Sequence, residues 1–230
     1  MSNKTNAKYR LKFTKSGNVR FIGHLDLMSL FNMAIKRAKL PIAYSEGFNP
    51  HQLLSFALPL SLGYHSNGEY LDIALTEPKD CKEIVISLND NMPDGIRVIA
   101  CGRMSNDSKS SASIVSACAY RVVFPTEYQI PLAVAEEFIA QEKIIISKKT
   151  KKNIADADIA PDIYEFSPKT LGEPVEELLI KISAGPNRSV RADSVVKALF
   201  EFAKMEYPEH RLSYIREEMY TGDKADMPLL

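Results

Sequence analysis

Alternating apolar and polar residues near the start of the chain give way to a helical spacing. In residues 8–14, Tyr9, Leu11 and Phe13 fall on one face, which predicts a half-buried strand. From residue 26 to 39 apolar residues recur every three or four positions, which predicts an amphipathic helix. Its apolar stripe comprises Leu27, Phe31, Ala34 and Ala38, with Met28 and Ile35 alongside.

Two more strands, a second helix and a fourth strand complete the first half. An apolar stretch at 53–62 and an alternating strand at 69–75 are joined by turn residues, which indicates a hairpin. A short helix that Asp80 and Glu83 cap follows, and then a strand at 96–101. The order βαββαβ is that of the ferredoxin-like motif.

The second half repeats this order after a polar, Ser-rich segment. The predicted elements are strand 119–124, helix 131–141, strand 144–147, strand 177–182, helix 191–206 and strand 212–219. An insertion, residues 153–170, interrupts them and includes a predicted short helix near 161–166. We therefore predict an α+β fold of two tandem ferredoxin-like units, with antiparallel sheets and helices on one face.

Domain boundaries follow from this repeat and from composition. Residues 1–107 are predicted to form the first domain, and 108–118 a Ser-rich linker. Residues 119–220 form the second domain, with its Lys-rich insertion, and 221–230 a disordered tail.

Composition bounds the class of protein. With 230 residues and 45% hydrophobic content, the chain can form one large or two small cores. No apolar run reaches the roughly 20 residues of a membrane span, and the N-terminus lacks a secretory signal, so we expect a cytoplasmic protein.

The three cysteines, Cys81, Cys101 and Cys118, form no CxxC or CxxxCxxC set, which argues against a zinc ribbon or a resident iron–sulfur cluster. Reduced, mostly buried thiols are expected.

Charge is balanced overall but unevenly spread. The formal net charge is zero, yet residues 1–43 carry nine basic residues against one acid. A second basic run comprises Lys148, Lys149, Lys151 and Lys152. If both runs line one surface, they can neutralise several phosphates. The alternative is a set of solvated edges and loops whose charge is cancelled by acids elsewhere.

Side chains suited to catalysis or binding are concentrated in three segments, 20–26, 44–51 and 68–72. His24 is predicted at the start of the first helix and His51 in a loop, where both can face one cleft. Each also has a structural explanation, because His24 with Asp26 can cap the helix and His51 can hold its loop by hydrogen bonds.

The other residues of these segments also have both structural and functional interpretations. Gly47 is expected to supply a positive φ in a turn. Phe48 either packs onto the core or offers an exposed surface on which a base stacks. Glu69 and Asp72 point to opposite faces of a strand, so they do not form a carboxylate pair. No spacing is diagnostic of a metal site, and none is predicted.

The segments RFIGHLDLM, YSEGFNPH and GEYLD, in this order and spacing, resemble the radical SAM-linked protein family, a domain of unknown function. The resemblance covers essentially the whole chain. It implies a radical SAM partner, because in that family the domain is fused to, or encoded beside, a B12-binding-like radical SAM protein. The residues that match the family's motifs are Arg20, His24, Asp26, Tyr44, Ser45, Gly47, Phe48, Pro50, His51, Glu69, Tyr70 and Asp72. Since this chain lacks a CxxxCxxC motif, we expect no resident cofactor.

Three functions are consistent with the sequence. The favoured one is a non-catalytic accessory protein that binds RNA, tRNA or rRNA, and presents it to the radical SAM enzyme for modification. The second is a metal-independent endoribonuclease similar in architecture to CRISPR repeat-processing enzymes, with His24 or His51 as general acid or base and Tyr44 assisting. The third is a structural partner that contacts protein alone, through an exposed apolar surface around residues 53–62.

Overall fold

Two units divide the chain in the computed structural model, which describes residues 6–149, 154–186, 188–222 and 225–230. Unit 1 comprises Met1–Val115 and Thr221–Leu230, and unit 2 comprises Ser116–Tyr220. The described residues form five α-helices and mostly antiparallel strands, which confirms the predicted α+β class. No described helix has the length and apolar character that a membrane span requires.

Unit 1 follows the predicted element order. Its elements are β1 (Ala7–Lys15), α1 (His24–Arg37), β2 (Leu54–Phe56), β3 (His65–Leu75), α2 (Cys81–Asn89), β4 (Ile96–Met104) and α3 (Ser111–Ile114). The strands lie in the order β4-β1-β3-β2, and the pairs are antiparallel. The predicted hairpin forms, although only Leu54–Phe56 of the apolar stretch pair with β3.

The core of unit 1 lies between one face of this sheet and the helices α1 and α2. Tyr9, Leu11 and Phe13 alternate inward along β1 and are fully buried. The Phe13 ring centroid lies 4.8 Å from that of Phe31 on α1. Burial of each such side chain stabilises the unit by about 1.5–3 kcal/mol. The opposite face, here called the outer face, carries the intervening residues of β1, among them Lys8 and Arg10.

The N-termini of α1 and α2 test the helix caps predicted from the sequence. Asp80 caps α2 as predicted, since its Oδ1 accepts hydrogen bonds from the amides of Lys82 (2.9 Å) and Glu83 (3.3 Å). Helix α1 instead begins at His24 with Gly23 as N-cap, and no side chain caps it. His24 is therefore the first helical residue and does not cap the helix.

Unit 2 contains two helices and most of the remaining strands among its described residues. Its elements are β5 (Val115–Val123), α4 (Leu132–Ile139), β6 (Ile145–Lys149), β7 (Ile154–Asp158), β8 (Ile163–Lys169), β9 (Glu177–Ser183), α5 (Ala192–Phe202) and β10 (Ser213–Thr221). The strand order is β10-β5-β9-β8, while β6 and β7 form a separate hairpin. A last strand, β11 (Met227–Pro228), belongs to unit 1.

The insertion differs from its prediction. The predicted short helix near 161–166 is wrong beyond Asp162, because a single 3-10 turn, Ala160–Asp162, leads directly into β8. Phe166 pairs with Ile180 of β9, and its ring lies 5.7 Å from that of Phe138 on α4. Cross-strand pairing and this aromatic contact favour the extended conformation, and β8 is an edge strand, where Pro168 costs no ladder hydrogen bond.

The segments predicted as a linker and as a disordered tail both contain secondary structure in their described residues. The predicted linker 108–118 contains α3 and the start of β5, and the amide of Ser111 donates to Asp72 Oδ2 at 2.7 Å. In the predicted disordered tail 221–230, the described residues Ala225 and Leu229 are buried. Arg10 holds the tail through a hydrogen bond from Nη1 to the Leu229 carbonyl at 3.2 Å. A buried guanidinium needs such acceptors, which composition does not reveal.

Candidate functional site

The outer face of unit 1 holds a pocket of about 310 Å³. Strand register sets its floor, because Lys8 lies opposite Ala74 and Arg10 opposite Asp72 on β1 and β3. These residues alternate with the core residues, so they share the outer face. Residues 51–55 form one wall, and Met104 and residues 108–110 form another.

Arg10 and Asp72 make a bidentate ion pair in the floor of this pocket. Arg10 Nε lies 2.8 Å from Asp72 Oδ1, and Nη2 lies 3.1 Å from Oδ2. Nη2 also donates to the Lys109 carbonyl at 3.1 Å. Lys8 Nζ donates to the Asn106 carbonyl at 2.7 Å. Three side chains of the sheet thus fix residues 105–111, here called the strap, as the pocket wall.

The loop 44–51 adjoins the pocket through His51. Ser45 closes the loop, because its Oγ lies 2.9 Å from His51 Nδ1 and accepts the His51 amide hydrogen at 3.1 Å. A backbone bond from the Ser45 amide to the His51 carbonyl (2.8 Å) adds to this closure. Gly47 has φ +114°, which confirms the predicted positive φ.

This loop presents aromatic side chains to solvent. Phe48 is 104% exposed and Tyr44 is 47% exposed. Of the two predictions for Phe48, the core staple is wrong because the ring is exposed, and its stacking on a base stays a prediction. Pro50 beside it is also exposed. An exposed phenyl ring on a loop held closed by three hydrogen bonds is a surface on which a flat partner can stack.

Arg20 makes an interaction that the sequence did not predict. Its Nη1 lies 2.8 Å from His65 Nε2, and its guanidinium stands 4.6 Å from the centroid of the Phe21 ring. Since arginine only donates, His65 Nε2 must accept, which requires a neutral ring. Burial, with a smaller contribution from the Arg20 charge, lowers the pKa of His65 and favours that neutral form.

The two motif histidines have separate partners. The His24 ring stands edge-on to Phe56, with centroids 5.3 Å apart, whereas His51 contacts Ser45. Asp26 is exposed in the first turn of α1. Within the described residues, no three His, Cys, Asp or Glu side chains form a group that could hold a metal ion.

The remaining predicted residues are distributed over both units. Glu69 and Tyr70 are buried in β3, so neither presents its side chain at the surface. Lys148 and Lys149 end β6. Lys151 and Lys152 lie outside the described residues.

The sequence did not predict Lys8, Arg10, Gln52 or Lys109 as parts of one site. The only local signal is that Lys8 and Arg10 alternate with the core residues of β1, as Asp72 and Ala74 do on β3. Register, which brings them opposite each other, is a tertiary property. The strap residues carry no such signal.

Comparison with known families gives a match over most of the chain. Residues 8–192 match the family described as an uncharacterized protein conserved in bacteria (DUF2344). The matched residues include the pocket, the strap and the loop 44–51. No curated protein matches the chain.

Proposed function

The chain belongs to the DUF2344 family, and from this premise and the geometry of its site we propose that it is a non-catalytic, cytoplasmic accessory protein that binds RNA for a radical SAM enzyme. The pairing with that enzyme class rests on the motif resemblance. The RNA-binding part rests on one observation, the exposed aromatic loop beside a pocket lined by basic residues.

The fold inference belongs to this proposal. We infer two tandem ferredoxin-like units, because in unit 1 the fourth strand of the repeat neighbours the first, the first neighbours the third, and the third neighbours the second. Unit 2 keeps the order β10-β5-β9, but β8 takes the place beside β9 that the repeat gives to β6. Many RNA-binding domains share such sheets, but fold alone is analogy.

The chemistry of the surface supports an unpaired nucleic-acid strand as ligand. Single strands are bound by aromatic side chains that stack on bases and by cations that follow the phosphates. Phe48 and Tyr44 supply the aromatic surface. Among the residues that line the adjoining pocket, Lys8, Arg10 and Lys109 are cationic, against the single carboxylate of Asp72.

A second surface of unit 1 supports contact with a protein partner. Phe21, Leu25 and Leu62 are large apolar residues that are more than half exposed. Phe21 lies beside Gly63, whose amide donates to the Arg20 carbonyl at 3.0 Å. Phe21 therefore lies next to the turn residue that follows Leu62, and exposed apolar residues that lie close together are typical of protein interfaces.

The test is binding of labelled single-stranded RNA to the whole chain, followed by fluorescence anisotropy across a salt series. We expect salt-dependent binding that leaves the RNA intact and that Phe48→Ala and Tyr44→Ala together weaken at least fivefold, since each stacked base contributes about 1–3 kcal/mol. Leu171→Ala is the matched control, because Leu171 is 95% exposed in unit 2. Equal affinity of the double variant and the control would refute the proposal, and cleavage of the RNA would point to a ribonuclease instead.

A further inference from the structure

We infer that the pocket on the outer face of unit 1 encloses one unpaired nucleotide, with its base inside and its phosphate at Lys8 and Lys109. This inference rests on the proposed RNA-binding function and deepens it. The pocket and the loop 44–51 then have different roles. The pocket selects a single nucleotide, and the loop stacks on a neighbouring base.

The size and walls of the pocket fit this ligand class. A volume of about 310 Å³ is at the lower end of small-molecule sites, which span roughly 300–1,000 Å³. Leu53, Leu54, Ala74 and Met104 contribute apolar surface among the lining residues. A mostly apolar cleft with a few polar groups favours a flat, partly apolar ligand over a bare ion.

The charges favour an anionic group on that ligand. Lys8 and Lys109 are exposed members of the lining, and Arg10 is engaged by Asp72 below them. Lys8 Nζ donates to a neutral carbonyl, that of Asn106. Asp107, on the strap but outside the lining, also interacts with the Lys8 charge. Three cations against these two carboxylates leave the site positive, which suits one phosphate.

Gln52 is the buried polar residue of one pocket wall. Gln52, a lining residue, is 5% exposed, and its Nε2 donates to the Asn32 carbonyl at 3.3 Å. Its Oε1 is buried and has no hydrogen-bond partner among the described residues. Because Oε1 has almost no accessible surface, this amide shapes the wall and is not itself a contact for the ligand.

The same chemistry can come from a free mononucleotide or from one unit of an RNA strand. We therefore compare two probes on the whole chain: the four nucleoside monophosphates, followed by NMR chemical-shift changes, and a short single-stranded RNA, followed by anisotropy. Ala74→Trp fills the pocket from its floor. Lys8→Met with Lys109→Met removes the cations without adding bulk, in case Ala74→Trp does not fold. Lys197→Met, an exposed lysine of α5, is the control.

The expected result is RNA binding weakened about tenfold or more by Ala74→Trp and by the double lysine variant, whose salt slope falls by roughly 0.7 for each lysine. The Lys197→Met control should change neither. If the variants bind RNA as tightly as the unaltered chain while Phe48→Ala does not, the pocket inference is overturned and the RNA-binding proposal stands. If mononucleotides bind and RNA does not, the RNA-binding proposal fails and the pocket is a site for free nucleotides. If neither probe binds, both fail.

Discussion

Arg10 and Asp72 face each other across β1 and β3, with Nε 2.8 Å from Oδ1 and Nη2 3.1 Å from Oδ2. Arg10 is 2% exposed, so the pair is largely removed from water. It also binds two segments distant in sequence, the strap through Lys109 and the C-terminal tail through Leu229. One ion pair thus organises both the floor and a wall of the candidate site.

Removal of Arg10 should destabilise the protein strongly. Arg10→Met leaves Asp72 without its counter-charge and deprives two carbonyls of their donor, so we expect a loss of about 3 kcal/mol or more in the free energy of unfolding. Urea titration measures it. Arg191→Met, which breaks the exposed pair of Arg191 with Asp193, should cost less than about 1 kcal/mol.

A double replacement tests the cause of that loss. Arg10→Met with Asp72→Leu removes both charges, so no uncompensated carboxylate remains. The double variant should therefore be more stable than Arg10→Met alone. If the double variant instead loses as much stability as Arg10→Met and Asp72→Leu lose separately when added together, the ion pair is not the source of the loss in Arg10→Met.

The positive φ of Gly47 predicts a position-specific effect of alanine. At φ +114° an L-residue is strained, although no atom lies within 4 Å of the added methyl group. Gly47→Ala should cost about 1 kcal/mol or more in loop closure and weaken RNA binding severalfold. Gly172→Ala is the control, since Gly172 has equal space and no positive φ. Comparable RNA affinity of both variants would show that loop closure is unimportant for binding.

Protonation of His65 should lower the stability of the protein in mild acid. Because burial and Arg20 lower the pKa of His65 in the folded state, the unfolded chain takes up the proton first as pH falls. The stability that the neutral His65 ring contributes is fully present above the unfolded-state pKa of about 6.5. It is lost as pH falls through the lower pKa of the folded state. Urea titrations from about pH 7.5 to pH 5 should show a fall that is smaller in His65→Gln. An identical pH dependence of the variant would contradict this assignment.

Cys101 should be a slowly reacting thiol. Burial first, and then a hydrogen bond with the Cys81 thiol, raise the pKa of Cys101, which suppresses the reactive thiolate. We expect iodoacetamide at about pH 8 to alkylate Cys101 slowly in the folded chain and rapidly in urea, as followed by mass spectrometry. Cys81→Ser retains the burial and should retain slow labelling. Rapid alkylation of the folded chain would contradict the prediction.

Sequence patterns predicted the elements that depend on local periodicity. Strand β1, helix α1 and the Asp80 cap of α2 follow from alternation, helical spacing and side-chain chemistry within a few residues. The short helix predicted at 161–166 is wrong beyond Asp162 because β8 forms through its pairing with β9, which lies outside any local window.

The sequence by itself determined the α+β class, the inward alternation of β1 and the positive φ at Gly47, since each depends on neighbours in the chain. Only the tertiary structure decided that Phe48 faces solvent, that the strap covers the outer face, and that Lys8 and Arg10 meet Ala74 and Asp72. Those relationships depend on strand register and on which segments supply acceptors to a buried guanidinium. Both are set by contacts between residues more than 60 positions apart.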